Sequence, residues 1–139
     1  MRFKLLILYI IGSALILSAQ TDSIKPAGDD GVGQLTLKPS TFDFGSISGD
    51  SIVTARFTLC NTGTEPVSIL RIFSDCSCTV PNYSRTPIAP GDSTLFEVRY
   101  DPRGYRWGQF RRTLRIRTSI PGCYLNAVIK GSIARKYKR

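Results

Sequence analysis

The sequence predicts an all-β domain, an immunoglobulin-like antiparallel β-sandwich of about seven or eight strands. From residue 34 onward, short alternating or apolar segments are separated by turn residues every eight to twelve positions or so, the spacing of a sandwich. No segment of this region has a convincing helical periodicity. The roughly 100 residues from 34 to 133 suffice for one core and are too few for two.

The first half of this region contains four predicted strands. The clearest covers residues 52–60, where Val53, Ala55, Phe57 and Leu59 alternate with polar side chains, as in a half-buried strand. A cluster of turn residues at 61–66 ends this strand, because its Gly permits positive φ and its Pro fixes the entry to the next strand. The other predicted strands of this half are residues 34–38, 42–47 and 67–73.

The second half contains three more predicted strands, residues 94–100, 109–118 and 123–133. Each alternates between apolar and polar positions, and in the last of them Leu125, Ala127, Ile129 and Ile133 share one face. Breaks at residues 101–104 and 121–122 contain the Pro and Gly of turns. Residues 81–90 are rich in Pro and are predicted to be a connection.

The first 33 residues are predicted to lie outside the domain. Residues 1–19 combine a basic start, an apolar run of about 13 positions and a small residue at the end, which is typical of a secretory signal peptide cleaved after Ala19. Leu17 is large for its place before the cut, so an uncleaved anchor is the alternative. The apolar run is shorter than the roughly 20 residues that a membrane-spanning helix needs. No transmembrane span is expected after the signal peptide is cleaved.

The signal peptide predicts an exported protein, with the periplasm favoured and the cell surface or the extracellular space as alternatives. Residues 20–33 are polar and aperiodic, which predicts a flexible lead. Residues 34–133 form the predicted domain and residues 134–139 a basic tail.

The absence of histidine excludes most hydrolase mechanisms. Without imidazole there is no Ser-His or Cys-His nucleophile pair and no zinc or copper site that uses His. The ten Asp and Glu residues are scattered, and most fall in predicted turns. The sequence therefore predicts a protein that is not an enzyme and that needs no cofactor.

Basic side chains predict a positively charged surface. The chain has 19 Lys and Arg against 10 Asp and Glu, a net charge of +9. Three arginines point outward from the predicted strand 109–118, either to protect an exposed strand from edge pairing or to bind an anionic ligand. The tail extends this charge, and it is either disordered or touches anionic headgroups. The basic residues are Arg111, Arg115, Arg117, Arg135, Lys136, Lys138 and Arg139.

Several motifs in order resemble a bacterial secreted domain family of unknown function, which is related to the Hydin-like and major-sperm-protein-like immunoglobulin folds. The similarity covers roughly residues 35–133, and the Cys-x-Cys-Thr segment is its most specific part. Ser77 stands where the family usually has Gly. The resemblance supports the fold, and relatives in the wider group mostly act as binding or scaffolding modules. The motifs are Phe42-Asp43-Phe44-Gly45, Phe57, Asn61-Thr62-Gly63, Pro66-Val67, Cys76-Ser77-Cys78-Thr79-Val80-Pro81, Pro87-Ile88-Ala89-Pro90-Gly91-Asp92-Ser93 and Val98-Arg99-Tyr100-Asp101-Pro102.

Four cysteines carry the chemical hypothesis for this chain. Cys76 and Cys78 lie two positions apart, so in an extended strand their Cα atoms would be about 6.6 Å apart and a bond between them would need a bend. Such a pair suits thiol redox exchange, or Cu(I) through two thiolates. The alternative is a structural role, with Cys60 and Cys123 as disulfide partners or with all four cysteines buried as small apolar groups.

The predicted function is a non-enzymatic extracytoplasmic binding or scaffold module for a protein or a component of the cell envelope. Nucleic acid is not expected as a partner, because export separates the protein from it. The alternative is a thiol redox or Cu(I)-handling protein that uses Cys76 and Cys78.

Overall fold

The computed structural model describes residues 34–135, which form eight strands. The predicted signal peptide, the flexible lead and the tail residues Lys136, Lys138 and Arg139 lie outside the described residues. Within residues 34–135 there is no helix able to cross a membrane. The strands are β1 (Leu35–Lys38), β2 (Thr41–Ile47), β3 (Val53–Asn61), β4 (Ile69–Ser74), β5 (Thr79–Asn82), β6 (Ser93–Tyr100), β7 (Gly108–Thr118) and β8 (Tyr124–Ile133).

The eight strands form two four-stranded sheets. Sheet A has the order β1-β3-β6-β5 and sheet B the order β2-β8-β7-β4. This division matches the two sheets of a constant-type immunoglobulin domain, except that sheet B has an additional strand, β2, beside β8. The all-β, immunoglobulin-like prediction is therefore confirmed.

One pair departs from the antiparallel prediction, because β2 runs parallel to β8. β1 pairs with β3 in sheet A, and after a cis peptide bond between Lys38 and Pro39 the chain continues into sheet B as β2. The other strand pairs are antiparallel.

The core lies between the two sheets and consists of inward-facing side chains from both. Phe57 on β3 is fully buried and stacks on Phe96 of β6, with ring centroids 5.2 Å apart. Phe42 of β2 approaches Phe57 from the opposite sheet, at 6.2 Å between centroids. Burial of such apolar area is the main stabilising contribution to the fold. The inward positions predicted for β8 are confirmed, since Leu125 and Ile129 are buried there.

Strand β5 was missed in the sequence because Pro81 lies in it. Proline cannot donate to a β-ladder, so it argues against a central strand. β5 is an edge strand that pairs only with β6, and an edge tolerates this loss. The segment predicted as a connection therefore begins inside a strand.

Asn61, at the end of β3, ties two loops to the core. Its side chain is 1% exposed, and its Nδ2 donates to the carbonyl oxygens of Glu65 at 2.7 Å and Ile88 at 2.9 Å. Its Oδ1 accepts from the backbone N–H of Gly63 at 3.0 Å. The backbone groups of Asn61 also bond to Gly91 and Asp92. This one side chain thus holds the β3–β4 turn against the loop that precedes β6.

Candidate functional site

Cys76 and Cys78 form a disulfide in the turn between β4 and β5, where the chain passes from sheet B to sheet A. We call residues 75–78 the CxC turn. The Cα atoms of Cys76 and Cys78 are 5.1 Å apart, which is closer than two such positions lie in an extended strand. Ser74 Oγ donates to the carbonyl oxygen of Cys76 at 2.9 Å, and the Thr79 N–H donates to the same oxygen at 3.1 Å. The bend that the sequence spacing requires is therefore held by one side-chain and one backbone hydrogen bond to the Cys76 carbonyl oxygen.

The two other cysteines are free thiols, so the pairing of Cys60 and Cys123 with the CxC cysteines is not adopted. Cys60 is half-buried on the outer face of β3, and Cys123 is buried just before β8. Cu(I) binding needs thiolates, and in this oxidised form both CxC sulfur atoms are bonded to each other. Within residues 34–135 no group of three metal-ligating side chains comes together.

Two hydrogen-bond donors point at the sulfur atom of Cys76. The Tyr105 hydroxyl, in the β6–β7 loop, lies 3.1 Å from Cys76 Sγ, and the backbone N–H of Cys78 donates to it at 3.1 Å. Cys76 is partly exposed, whereas Cys78 is 6% exposed and lies with its Sγ 3.5 Å from Thr79 Oγ1. The two cysteines thus differ in exposure, and the sulfur atom of the more exposed one accepts both hydrogen bonds.

A buried pair of polar groups lies next to this turn. Arg112 is on the inward face of β7, and its guanidinium lies over the Tyr105 ring at 5.7 Å. Among the described residues, neither Arg112 Nε nor the hydroxyl of Tyr100 has a hydrogen-bond partner, although both atoms are buried. Arg112 was not identified in the sequence as a site residue. Its position between Phe110 and Leu114 in the strand alternation is the signal that places it inward.

Burial raises the pKa of the Tyr100 phenol above its ordinary value near 10, against a smaller lowering by the charge of Arg112. The stability that this raised pKa confers is present below pH 10 and is lost as the pH rises through the folded-state value. We expect Tyr100→Phe to reduce the loss of stability above pH 10 in urea unfolding curves. At pH 7 the variant should be as stable as the native protein, or more stable by up to about 1 kcal/mol, because an unpaired buried hydroxyl is removed. If the free energy of unfolding fell equally steeply above pH 10 in the variant and in the native protein, this prediction would be wrong.

The outer face of sheet B brings together arginines and aromatic rings. We call Arg71, Phe73, Arg115, Arg117 and Tyr124 the arginine face. Arg71 lies directly opposite Arg117, and Phe73 lies opposite Arg115, across the β4–β7 pair. The Arg71 guanidinium is 4.9 Å from the Phe73 ring centroid, and that of Arg115 is 4.1 Å from the Tyr124 ring. Phe73 and Tyr124 are each 40% exposed, so the face is open to solvent.

A second basic region lies further along the same sheet. Arg111 of β7 pairs with Lys130 of β8, whose ammonium nitrogen is 3.3 Å from the Asp43 carboxylate. The backbone N–H of Gly45 bonds to this carboxylate and is the main cause that lowers the pKa of Asp43. These groups line a shallow groove of about 480 Å³. This region contains its own counter-charge, the Asp43 carboxylate.

Arg135 does not extend the arginine face, although the sequence suggested a continuous basic surface. Its guanidinium stacks over Trp107 at 5.2 Å, just before β7 begins. Arg117 is near the other end of that eleven-residue strand, about 30 Å away at the rise of a strand. The predicted residues Arg111, Arg115 and Arg117 are on one face, and Arg135 is at the opposite end of the sheet.

Protection of a sheet edge does not account for the arginines of β7. Edge strands use charged side chains to prevent pairing with other chains. β7 lies inside sheet B, between β8 and β4, so it has no free edge. The interpretation of Arg111, Arg115 and Arg117 as edge protection is therefore wrong, and their role must be sought on the face of the sheet.

Solved structures with this fold come from several organisms. A protein of unknown function from Porphyromonas gingivalis W83 is 20% identical with a TM-score of 0.64, and the match covers 81% of this chain and 51% of that one. The PapD-like domain 7 of human CEP192 is 10% identical with a TM-score of 0.62, and the match covers 87% and 97%. The VesB protease of Vibrio cholerae is 17% identical with a TM-score of 0.52 over 74% of this chain and 32% of that one.

These likenesses show the fold alone, because the identities are low. The chain spans about half the length of the Porphyromonas gingivalis protein and a third of the protease. No curated protein sequence matches it. A family model does match, over residues 35–133, which is nearly the whole of the described domain. The chain therefore belongs to the DUF1573 family, whose description is a protein of unknown function.

Proposed function

We propose that this domain is a non-enzymatic binding module that recognises an acidic protein partner through the arginine face. The observation that carries the proposal is the direct opposition of Arg71 and Arg117 across β4 and β7. Like charges at opposed positions of a sheet destabilise it. Carboxylates of a partner placed between the two guanidinium groups would remove that repulsion.

The chemistry of the face supports a protein as the partner. Guanidinium groups bind carboxylates through two parallel hydrogen bonds, and Arg and aromatic residues are enriched at the centres of protein interfaces. The rings of Phe73 and Tyr124 hold the guanidinium groups of Arg71 and Arg115 in place. Side chains that are already ordered lose less conformational entropy on binding.

We further propose that this binding takes place outside the cytoplasm. The pattern of residues 1–19 supports export, and the disulfide between Cys76 and Cys78 supports an oxidising compartment. Recovery of the protein from periplasmic and membrane fractions, with its N-terminus sequenced, tests both points. A protein found only in the cytoplasm with Met1 intact would contradict them.

The binding test uses a fluorescently labelled random copolymer of glutamate and tyrosine as the acidic probe. We expect the Arg71→Gln, Arg115→Gln, Arg117→Gln triple variant to bind it at least tenfold more weakly, because three exposed ion pairs contribute about 0.5 kcal/mol or more each. Fluorescence anisotropy at 50 and 300 mM NaCl measures the affinity. The loss should be larger at the lower salt concentration, where charges are less screened.

The matched control carries the same change of charge elsewhere. Arg85→Gln, Arg99→Gln and Arg106→Gln are exposed positions outside the arginine face, and this triple variant should keep more than half of the native affinity. Equal weakening in both triple variants would mean that net charge alone attracts the probe. Binding lost only when residues 135–139 are removed would transfer the function to the basic tail.

A further inference from the structure

The geometry points to a second site, and we propose that the Cys76–Cys78 disulfide exchanges with a dithiol of another protein. In the first step a thiolate of that dithiol attacks Cys76 Sγ, the bond between the two cysteine sulfur atoms breaks, and Cys78 leaves as a thiolate that takes up a proton. In the second step the partner's other thiol loses its proton and attacks the partner sulfur of the mixed disulfide, the bond between that sulfur and Cys76 Sγ breaks, and Cys76 leaves as a thiolate that takes up a proton. The partner is oxidised to a disulfide and the CxC turn is reduced to two thiols.

The difference in exposure between the two cysteines supports this order of attack. Cys76 is partly exposed, and Cys78 is 6% exposed. An in-line attack on the outer sulfur expels the inner one, whose Sγ lies 3.5 Å from the Thr79 hydroxyl oxygen. That hydroxyl can turn its hydrogen toward the departing thiolate. Exchange rates depend on access to the attacked sulfur and on how well the leaving thiolate is stabilised.

The donors at Cys76 prepare the second step. The Tyr105 hydroxyl and the Cys78 N–H each lie 3.1 Å from Cys76 Sγ, and hydrogen bonds to a charged acceptor are stronger than those to a neutral one. The cation of Arg112 lies behind the Tyr105 ring. The carboxylate of the adjacent Asp75 is directed to sheet B, where it accepts a hydrogen bond from the Thr113 N–H at 3.3 Å. The donors therefore favour the reduced form of Cys76 as a thiolate.

A purely structural role fits this disulfide less well. The bond closes a loop of two positions in sequence, and a bond over so short a loop restrains the unfolded chain much less than one that closes tens of residues. The turn is also held by the hydrogen bonds of Ser74 and Thr79 to the Cys76 carbonyl oxygen. The connection therefore has restraints other than the disulfide.

The test places the folded protein in glutathione buffers of defined composition at pH 8, without oxygen. A Cys60→Ser background removes the more exposed of the two free thiols. After acid quenching and alkylation, the intact mass reports whether two further thiols have opened. We expect millimolar glutathione to open the disulfide without denaturant. A bond that opens only in guanidinium chloride would overturn the proposal.

The role of Tyr105 is tested at the midpoint of the same titration. In Tyr105→Phe, about tenfold more reducing buffer should be needed for half-opening, because the thiolate loses one charge-assisted hydrogen bond. Trp107→Phe changes the same loop without removing either donor to Cys76 Sγ and should leave the midpoint unchanged. A Tyr105→Phe midpoint equal to the native one would overturn the stabilisation of Cys76 by this hydroxyl.

This site and the arginine face can fail separately. The triple arginine variant should keep its exchange with glutathione, and a Cys76→Ser, Cys78→Ser variant should keep its affinity for the glutamate and tyrosine copolymer. Loss of exchange in the arginine variant would overturn the assignment of exchange to the CxC turn alone.

Discussion

Asn61→Asp should destabilise the domain by about 4 kcal/mol or more at neutral pH. Its two Nδ2 donors would be replaced by an acceptor that faces the carbonyl oxygens of Glu65 and Ile88. Each buried hydrogen bond lost in this way costs about 1–3 kcal/mol, and burial of the new charge adds to the cost. Since domains of this size are stable by about 5–15 kcal/mol, this loss would remove a large share of the stability of the domain.

The effect of Asn61→Asp should depend on pH. Burial and the neighbouring carbonyl oxygens raise the pKa of the new carboxyl in the folded state above the unfolded value near 4. The penalty is therefore smallest below pH 4 and grows as the pH rises through the folded-state pKa. Urea unfolding of variant and native protein at pH 7 and pH 4 measures the difference.

The control for this prediction is Asn126→Asp, the same change on the exposed surface of β8. Its stability should stay within about 0.5 kcal/mol of the native value. An Asn61→Asp protein with the same unfolding midpoint as the native one at both pH values would show that the two loops do not depend on this side chain.

Phe57→Ala should cost about 3–5 kcal/mol in the free energy of unfolding. Phe57 is fully buried, stacks on Phe96 and contacts Phe42 from the opposite sheet, so its removal leaves a cavity between both sheets. The lost stability comes from the apolar area that is no longer buried and from the aromatic contacts of the ring with Phe96 and Phe42. Denaturant unfolding at pH 7 measures it, and Phe73→Ala, which removes a ring that is 40% exposed, is the matched control. Similar losses in both variants would contradict a core centred on Phe57.

The alternation of apolar residues was enough to predict most strands and their inward faces. β3 shows why, since its inward positions Ala55, Phe57 and Leu59 follow the strand period without a break. β5 escaped prediction because Pro81 is acceptable only on an edge, and edge position depends on contacts with β6 that are far away in sequence.

The candidate sites were predicted less completely, because both depend on pairing between distant residues. The spacing of Cys76 and Cys78 indicated that a bond needs a bend, and the turn supplies it. The contact of Tyr105 with Cys76 joins residues 29 positions apart and has no local signal. In the same way, the outward arginines of β7 were visible in the sequence, but the opposition of Arg71 and Arg117 requires the register of β4 against β7.

The parallel pairing of β2 with β8 also determines how the chain can reach its native state. Thr41 lies beside Val128, so residues more than eighty positions apart must meet before β2 has any partner in its sheet. The entropy of closing so long a loop is lost before the contact provides stabilisation, which makes topologies of this kind fold slowly. Because β8 is its only neighbour in sheet B, β2 can join that sheet only when the chain as far as β8 is present, and we expect its docking to be a late event in folding.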